Sequence, residues 1–196
     1  PAYRGIAVDL RGYGDSEKTL TGSNISQFVK DLIALADRLK IEKPVWVGVS
    51  MGGMILQQLA LEHPDRVKAL ALVSTTDGAM ILDHDLPSIG NPRTNAEVSK
   101  KILLESFPAG TNPQLYQPIL DRTQTWNDSV LRGSLTSMSA FNTRGRMPAI
   151  TAVSLMTTSC GVGSIYELSA KAGVGYDDDA SCRDDAGSAA KPWFLR

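Results

Sequence analysis

The apolar run Val45-Trp46-Val47, the six residues Gly48-Val49-Ser50-Met51-Gly52-Gly53 and the helical pattern that opens at Met54 leave this chain few ways to fold. A serine at G-x-S-x-G spacing, placed directly after a buried-strand run and directly before a helix, reads as a nucleophile on a very tight strand-to-helix turn. So sharp a bend drives its tip residue to positive φ, a strained choice for anything but glycine that costs about 1 to 3 kcal/mol and persists where it serves a site. Side chains two places before and two places after would collide across the bend, so Gly48 and Gly52 meet a steric demand. The Ser50 hydroxyl is left exposed above the sheet edge. The Met51 amide, at the positive end of the new helix, points to where a tetrahedral oxyanion forms. A glycine-rich turn with a passenger serine is the plain alternative. Against it stands the run after the motif, with Met54, Ile55, Leu56, Leu59 and Ala60 apolar and Gln57, Gln58 and Glu62 polar.

The flanking segments give the architecture. Ile6–Leu10, Val45–Val49 and Lys68–Ser74 carry continuous apolar runs, as expected of parallel strands buried on both faces. Between the first two, Ile25, Phe28, Val29, Leu32, Ile33, Ala36 and Leu39 recur at helical spacing after the cap candidate Asn24, and the helix must stop before Lys43-Pro44. Strand, helix, strand, helix, strand predicts an α/β fold, a partial doubly wound parallel sheet with its site beyond the carboxyl ends of the strands, where Ser50 lies. From about Asp83 to Arg146 the pattern changes to short helical segments broken by Pro87, Pro92, Pro108, Pro113 and Pro118, with Trp126, Met138 and Phe141 as larger apolar side chains.

With these blocks in view, the chain resembles the α/β-hydrolase superfamily, in particular its serine esterase, enol-lactonase and cofactor-free haloperoxidase-like group. The segment from Tyr3 to Ser16, containing Asp9-Leu10-Arg11-Gly12-Tyr13-Gly14-Asp15-Ser16, looks like the family's fourth strand and its D-x-R-G-x-G-x-S turn. Leu59 to Val67, running into Lys68–Ser74, is similar to the end of the elbow helix and the sixth strand. The resemblance is strong to about residue 80 and extends to about residue 148. It implies three units: a core over 1–82, a helical cap over 83–147 that would choose the substrate, and a divergent tail over 148–196. It also implies an N-terminal portion bearing the first three strands and a second oxyanion amide. Ser50, in place of the aspartate that the resemblance associates with dehalogenases and epoxide hydrolases, implies acyl transfer from a small carboxylic ester or lactone, with no cofactor.

A serine hydroxyl needs a base, itself oriented by a carboxylate. The sequence has two histidines. His63 ends the elbow helix, too far from Ser50 for contact and suited to a C-terminal cap. His84 follows the third strand but matches no family position for the base. Asp77, just past that strand, stands where some relatives place the acid. Asp9 and Arg11 are expected to brace loops around the elbow, and Ser16 to form a local hydrogen bond. The Gly-x-x-Asp turn and histidine loop that the family carries near its end have no counterpart after Ile150. Residues 151–196 mix Gly, Ala, Ser and Asp without helical or strand periodicity, a composition of poor order. Regrouping the codons of Met156-Thr157-Thr158-Ser159-Cys160 by one place allows an Asp-Asp-Glu-Leu string of the family's kind, so a shifted reading frame is one expectation for this stretch. The alternative to a working hydrolase is therefore a catalytically incomplete homologue without turnover.

Net charge is −1 with Lys and Arg scattered, which leaves no basic footprint for nucleic acid. The longest apolar runs are strand-length, so no membrane span is expected, and no charged-then-apolar leader opens the sequence, which points to the cytoplasm. Cys160 and Cys182 are too few for a disulfide framework or metal site. The Asp177–Asp179 run reads as a solvated cluster. The sequons at Asn24 and Asn127 read as coincidence.

Overall fold

The computed structural model describes residues 3–78, 100, 103–104, 107–123, 126–157 and 165–168. Helix α1 spans Ile25–Arg38 and begins as its sequence requires, with the Asn24 side chain accepting from the Gln27 N–H at 2.9 Å. Strand β1 (Val45–Val49) turns at Ser50 directly into α2 (Met51–Glu62), a single 3-10 turn at Pro64–Arg66 follows, and β2 runs Ala69–Val73. After an excursion come α3 (Pro113–Thr123) and α4 (Asp128–Ser139), and the chain returns through β3 (Val153–Thr157) and β4 (Ile165–Leu168). The sheet order is β1-β2-β3-β4. The first two pairings are parallel, in the registers Val45↔Ala69 and Ala69↔Val153, and the last is antiparallel.

One core lies between α1, α2 and the near face of the sheet. Phe28, Val29, Met54, Ile55, Leu59, Val67 and Leu72 are fully buried in it, and Met138, Phe141, Met147 and Ile150 close its far side. Continuous apolar runs had predicted strands covered on both faces, and here the structure differs. Val45, Val47 and Val49 are 52, 68 and 59% exposed, because α1 and α2 pack on the face that holds Leu70 and Leu72, and no described residue buries the valine face. Ile6–Leu10, expected as a strand, joins no ladder among the described residues, and its Ile6 and Val8 are 43 and 41% exposed. An extended segment becomes a strand only where a neighbour accepts its hydrogen bonds, and β1 is bonded on its β2 side alone. The opposite difference occurs at β3 and β4. These strands lie where periodicity predicts none, since the free edge of β2 supplies the pairing that the local sequence does not signal.

The loop of residues 9–16 ties these parts together. Arg11 holds Asp31 of α1 bidentately at 2.5 and 2.6 Å, so it braces that helix rather than a loop around the elbow. Asp9 accepts the Asp15 N–H at 2.8 Å within its own turn, and Ser16 donates to the Asp9 carbonyl at 2.6 Å, the local bond expected of it. Tyr13 donates to Ser134 of α4 at 2.8 Å and meets Trp126 edge-on with ring centroids 5.4 Å apart. Arg122 of α3 reaches Asp15 at 2.9 Å. Burial raises the Tyr13 phenol above its ordinary value, partly offset by the bond to Ser134. Asn127 caps α4, accepting from the Ser129 N–H, so both sequons serve as helix caps. Pro118 lies inside α3 instead of breaking it.

The hydrogen bonds from Arg11 hold the Asp31 carboxyl below its ordinary value. The folded state therefore takes up this proton less readily than the unfolded chain. The resulting stability is complete above about pH 4, the unperturbed carboxylate value, and is lost as pH falls through the depressed one. Asp31→Asn is expected to lower the urea midpoint at pH 7 and to flatten its fall between pH 5 and 2. A midpoint that falls as steeply in the variant as in the parent chain contradicts this.

Candidate active site

Ser50 stands at the tip of the bend between β1 and α2 with φ 51° and ψ −118°, one of only three non-glycine residues at positive φ among those described. Its hydroxyl is exposed and makes no capping bond, and its N–H donates to the Val73 carbonyl at 2.9 Å, which pins the turn to the end of β2. The neighbouring strand end is strained in the same way. Val49 and Val73 are in register, and Ser74 follows at φ 47°. Two adjacent parallel strands thus both end in a left-handed serine, the kind of local strain that clusters at functional sites.

The glycines of the motif divide differently from the sequence expectation. A Cβ on Gly48 would lie 2.5 Å from the Gly52 carbonyl oxygen and 2.8 Å from the Gly53 nitrogen, so the closeness of the bend forbids it. On Gly52 a Cβ would meet nothing within 4 Å, whereas on Gly53 it would sit 2.6 Å from Thr75. The steric demand falls on Gly48 and Gly53. Only the approach of the end of β2 to the first turn of α2 shows this.

Met51 is the first residue of α2 and half-buried, and the N–H groups of a helix's first turn have no partner within the helix. Its amide lies at the positive end of a twelve-residue helix, next to the exposed Ser50.

Asp77 lies four residues past β2, 4% exposed, with Arg144 Nε 3.8 Å from its carboxylate. Its carbonyl accepts the N–H groups of Thr143 at 2.7 Å and Arg144 at 3.1 Å. Thr143 also donates to Gln57 Oε1 at 2.6 Å, and Gln57 Nε2 donates to the Thr76 carbonyl at 2.9 Å. Gln57, expected on the polar face of α2, is fully buried in this knot. No sequence signal distinguishes it from Gln58, because its partner lies 86 positions away. His63 caps the carboxyl end of α2, donating its N–H to the Leu59 carbonyl at 2.7 Å, as its position beside Pro64 predicts. Twelve residues of helix put it roughly 18 Å from Ser50. His84 lies outside the described residues, as do Cys160, Cys182 and Asp177–Asp179.

Among the described residues no group of three or more His, Cys, Asp or Glu side chains could hold a metal ion, and no helix is long and apolar enough to cross a membrane. A depression of about 440 Å³ lined by Asp37, Lys40, Glu42 and Arg66 lies at the amino end of β1, opposite Ser50. Within it Arg66 pairs with Asp37 at 2.7 Å, and it lies away from the bend.

A family model described as the alpha/beta hydrolase fold matches residues 1–152. A Bacillus subtilis protein assigned as 2-succinyl-6-hydroxy-2,4-cyclohexadiene-1-carboxylate synthase is 36% identical over 111 residues, 56% of this chain and 40% of that protein. Epoxide hydrolase 3 of Siraitia grosvenorii is 42% identical over 74 residues, 37% of this chain and 23% of that protein. The solved structure of the enol-lactonase from Burkholderia xenovorans superposes with a TM-score of 0.65 at 25% identity, over 76% of this chain and 60% of that one. The chain thus spans less than two thirds of the length of each.

Proposed function

The chain belongs to the α/β-hydrolase fold family, and from that premise we propose that it is a serine hydrolase acting on a small carboxylic ester or lactone. The observation that carries the reading is the exposed Ser50 at positive φ on the bend, beside the amino end of α2. In the reaction the hydroxyl oxygen attacks the substrate carbonyl while a base takes its proton. The Met51 amide stabilises the oxyanion, the alcohol leaves with the proton, and water then releases the acid from Ser50. One oxyanion donor is worth roughly 2.7 to 4 kcal/mol of barrier. A hydroxyl in place of a carboxylate at the bend favours acyl transfer over epoxide opening, and the likeness to an enol-lactonase supports a lactone or ester substrate. In this reading α3 and α4 form the cap that shields the site from water, and Asp77 orients the base.

A second reading, a chain without turnover, is favoured by one fact: the described residues place no histidine against Ser50. A fluorophosphonate probe separates the two. Prompt labelling that disappears in Ser50→Ala demands a working base and establishes the hydrolase. A folded chain that remains unlabelled establishes the second reading.

A further inference from the structure

The mounting of the proposed oxyanion donor has a part that the reaction does not itself name. Thr75 follows the strained Ser74 at the end of β2, is 7% exposed, and donates its hydroxyl to the Ser50 carbonyl oxygen at 2.8 Å. That oxygen already accepts the N–H groups of Gly53 at 2.9 Å and Met54 at 3.3 Å, as the start of α2 requires. The Ser50 carbonyl and the Met51 N–H belong to one planar peptide unit and point to opposite sides of it, so a restraint on the oxygen is also a restraint on the N–H direction. A donor on the carbonyl also polarises the unit and makes its N–H a stronger donor. Thr75 has little freedom to leave this position, because its Cβ, Cγ2 and Oγ1 all lie 2.6 Å from where a Cβ on Gly53 would be.

We propose that Thr75 is a positioning residue: through the shared peptide plane, its hydroxyl aims and strengthens the Met51 amide that stabilises the oxyanion at Ser50. The assignment rests on the serine-hydrolase reading for its purpose, but its geometry can be read without catalysis. Thr75→Val replaces the hydroxyl by a methyl of the same shape, and Thr75→Ser keeps it. Two measurements on the full chain decide the matter. In Thr75→Val, fluorophosphonate labelling of Ser50 is expected to slow about 10-fold, less than the 100-fold or more for losing a donor outright, and in Thr75→Ser to stay within about twofold of the parent. In ¹⁵N-labelled protein the Met51 amide proton is expected to move upfield in Thr75→Val and to return in Thr75→Ser. Should Thr75→Val not fold, Thr75→Ala takes its place in both measurements. An unmoved Met51 resonance overturns the proposal, and so does a moved resonance with an unchanged labelling rate. If the parent chain never labels, the hydrolase reading fails on its own, while the Met51 resonance still decides whether Thr75 governs that amide.

Discussion

Gly48→Ala is expected to cost about 3 kcal/mol of stability and to abolish probe labelling at Ser50, whereas Gly52→Ala, in the same motif, keeps both. The difference lies in what each new methyl would touch. At Gly48 it would press on the backbone of Gly52 and Gly53 at 2.5 to 2.8 Å, and backbone cannot rotate out of the way as a flexible side chain can. Relief requires the first turn of α2 to back away from β1, which unseats the Ser50 carbonyl from Thr75 and the Ser50 N–H from Val73. At Gly52 the methyl enters open space on a residue that is already helical, where alanine is preferred to glycine by roughly 0.5 to 1 kcal/mol. Urea unfolding of the two variants, read beside their labelling, tests this. Equal losses at the two positions would show that the bend is not packed as described.

Leu72→Ala is expected to lose about 2 to 5 kcal/mol, while Val47→Thr in the adjoining strand stays within about 0.5 kcal/mol of the parent. Leu72 is completely buried between the sheet and α2, so truncation leaves a cavity lined by Met54, Ile55 and their neighbours. Val47 is 68% exposed on the face that no described residue covers, so a polar atom there stays hydrated. Denaturant midpoints measured in dilute protein check the pair. A loss at Val47 comparable to that at Leu72 would mean that the valine face is buried after all.

The bend at Ser50 was legible because it is encoded within six consecutive residues, and sterics of that range survive any tertiary context. Helix α1, with its Asn24 cap and its stop before Lys43-Pro44, was legible for the same reason. What escaped the sequence depends on distant partners. Apolar continuity at Ile6–Leu10 and Val45–Val49 signals a tendency to be buried, but whether a segment pairs or a face is covered is decided by what stands beside it. β3 was missed because its bonds come from β2, about 80 residues earlier. Thr75 and Gln57 look like ordinary polar residues until their partners, the Ser50 carbonyl and Thr143, are placed next to them.

The knot of Gln57, Asp77 and Thr143 joins the point where the chain leaves the sheet after β2 to the point where it comes back toward β3, and anchors both to the helix that begins after Ser50. The sixty-odd positions in between are closed off at their base like the neck of a drawstring bag. Changes within that span that spare Trp126, Ser134, Met138 and Phe141, which pack on the core and on the loop of residues 9–16, therefore need not tug on Ser50. A lineage built this way can vary its outer segments while the bend at Ser50 stays where it was.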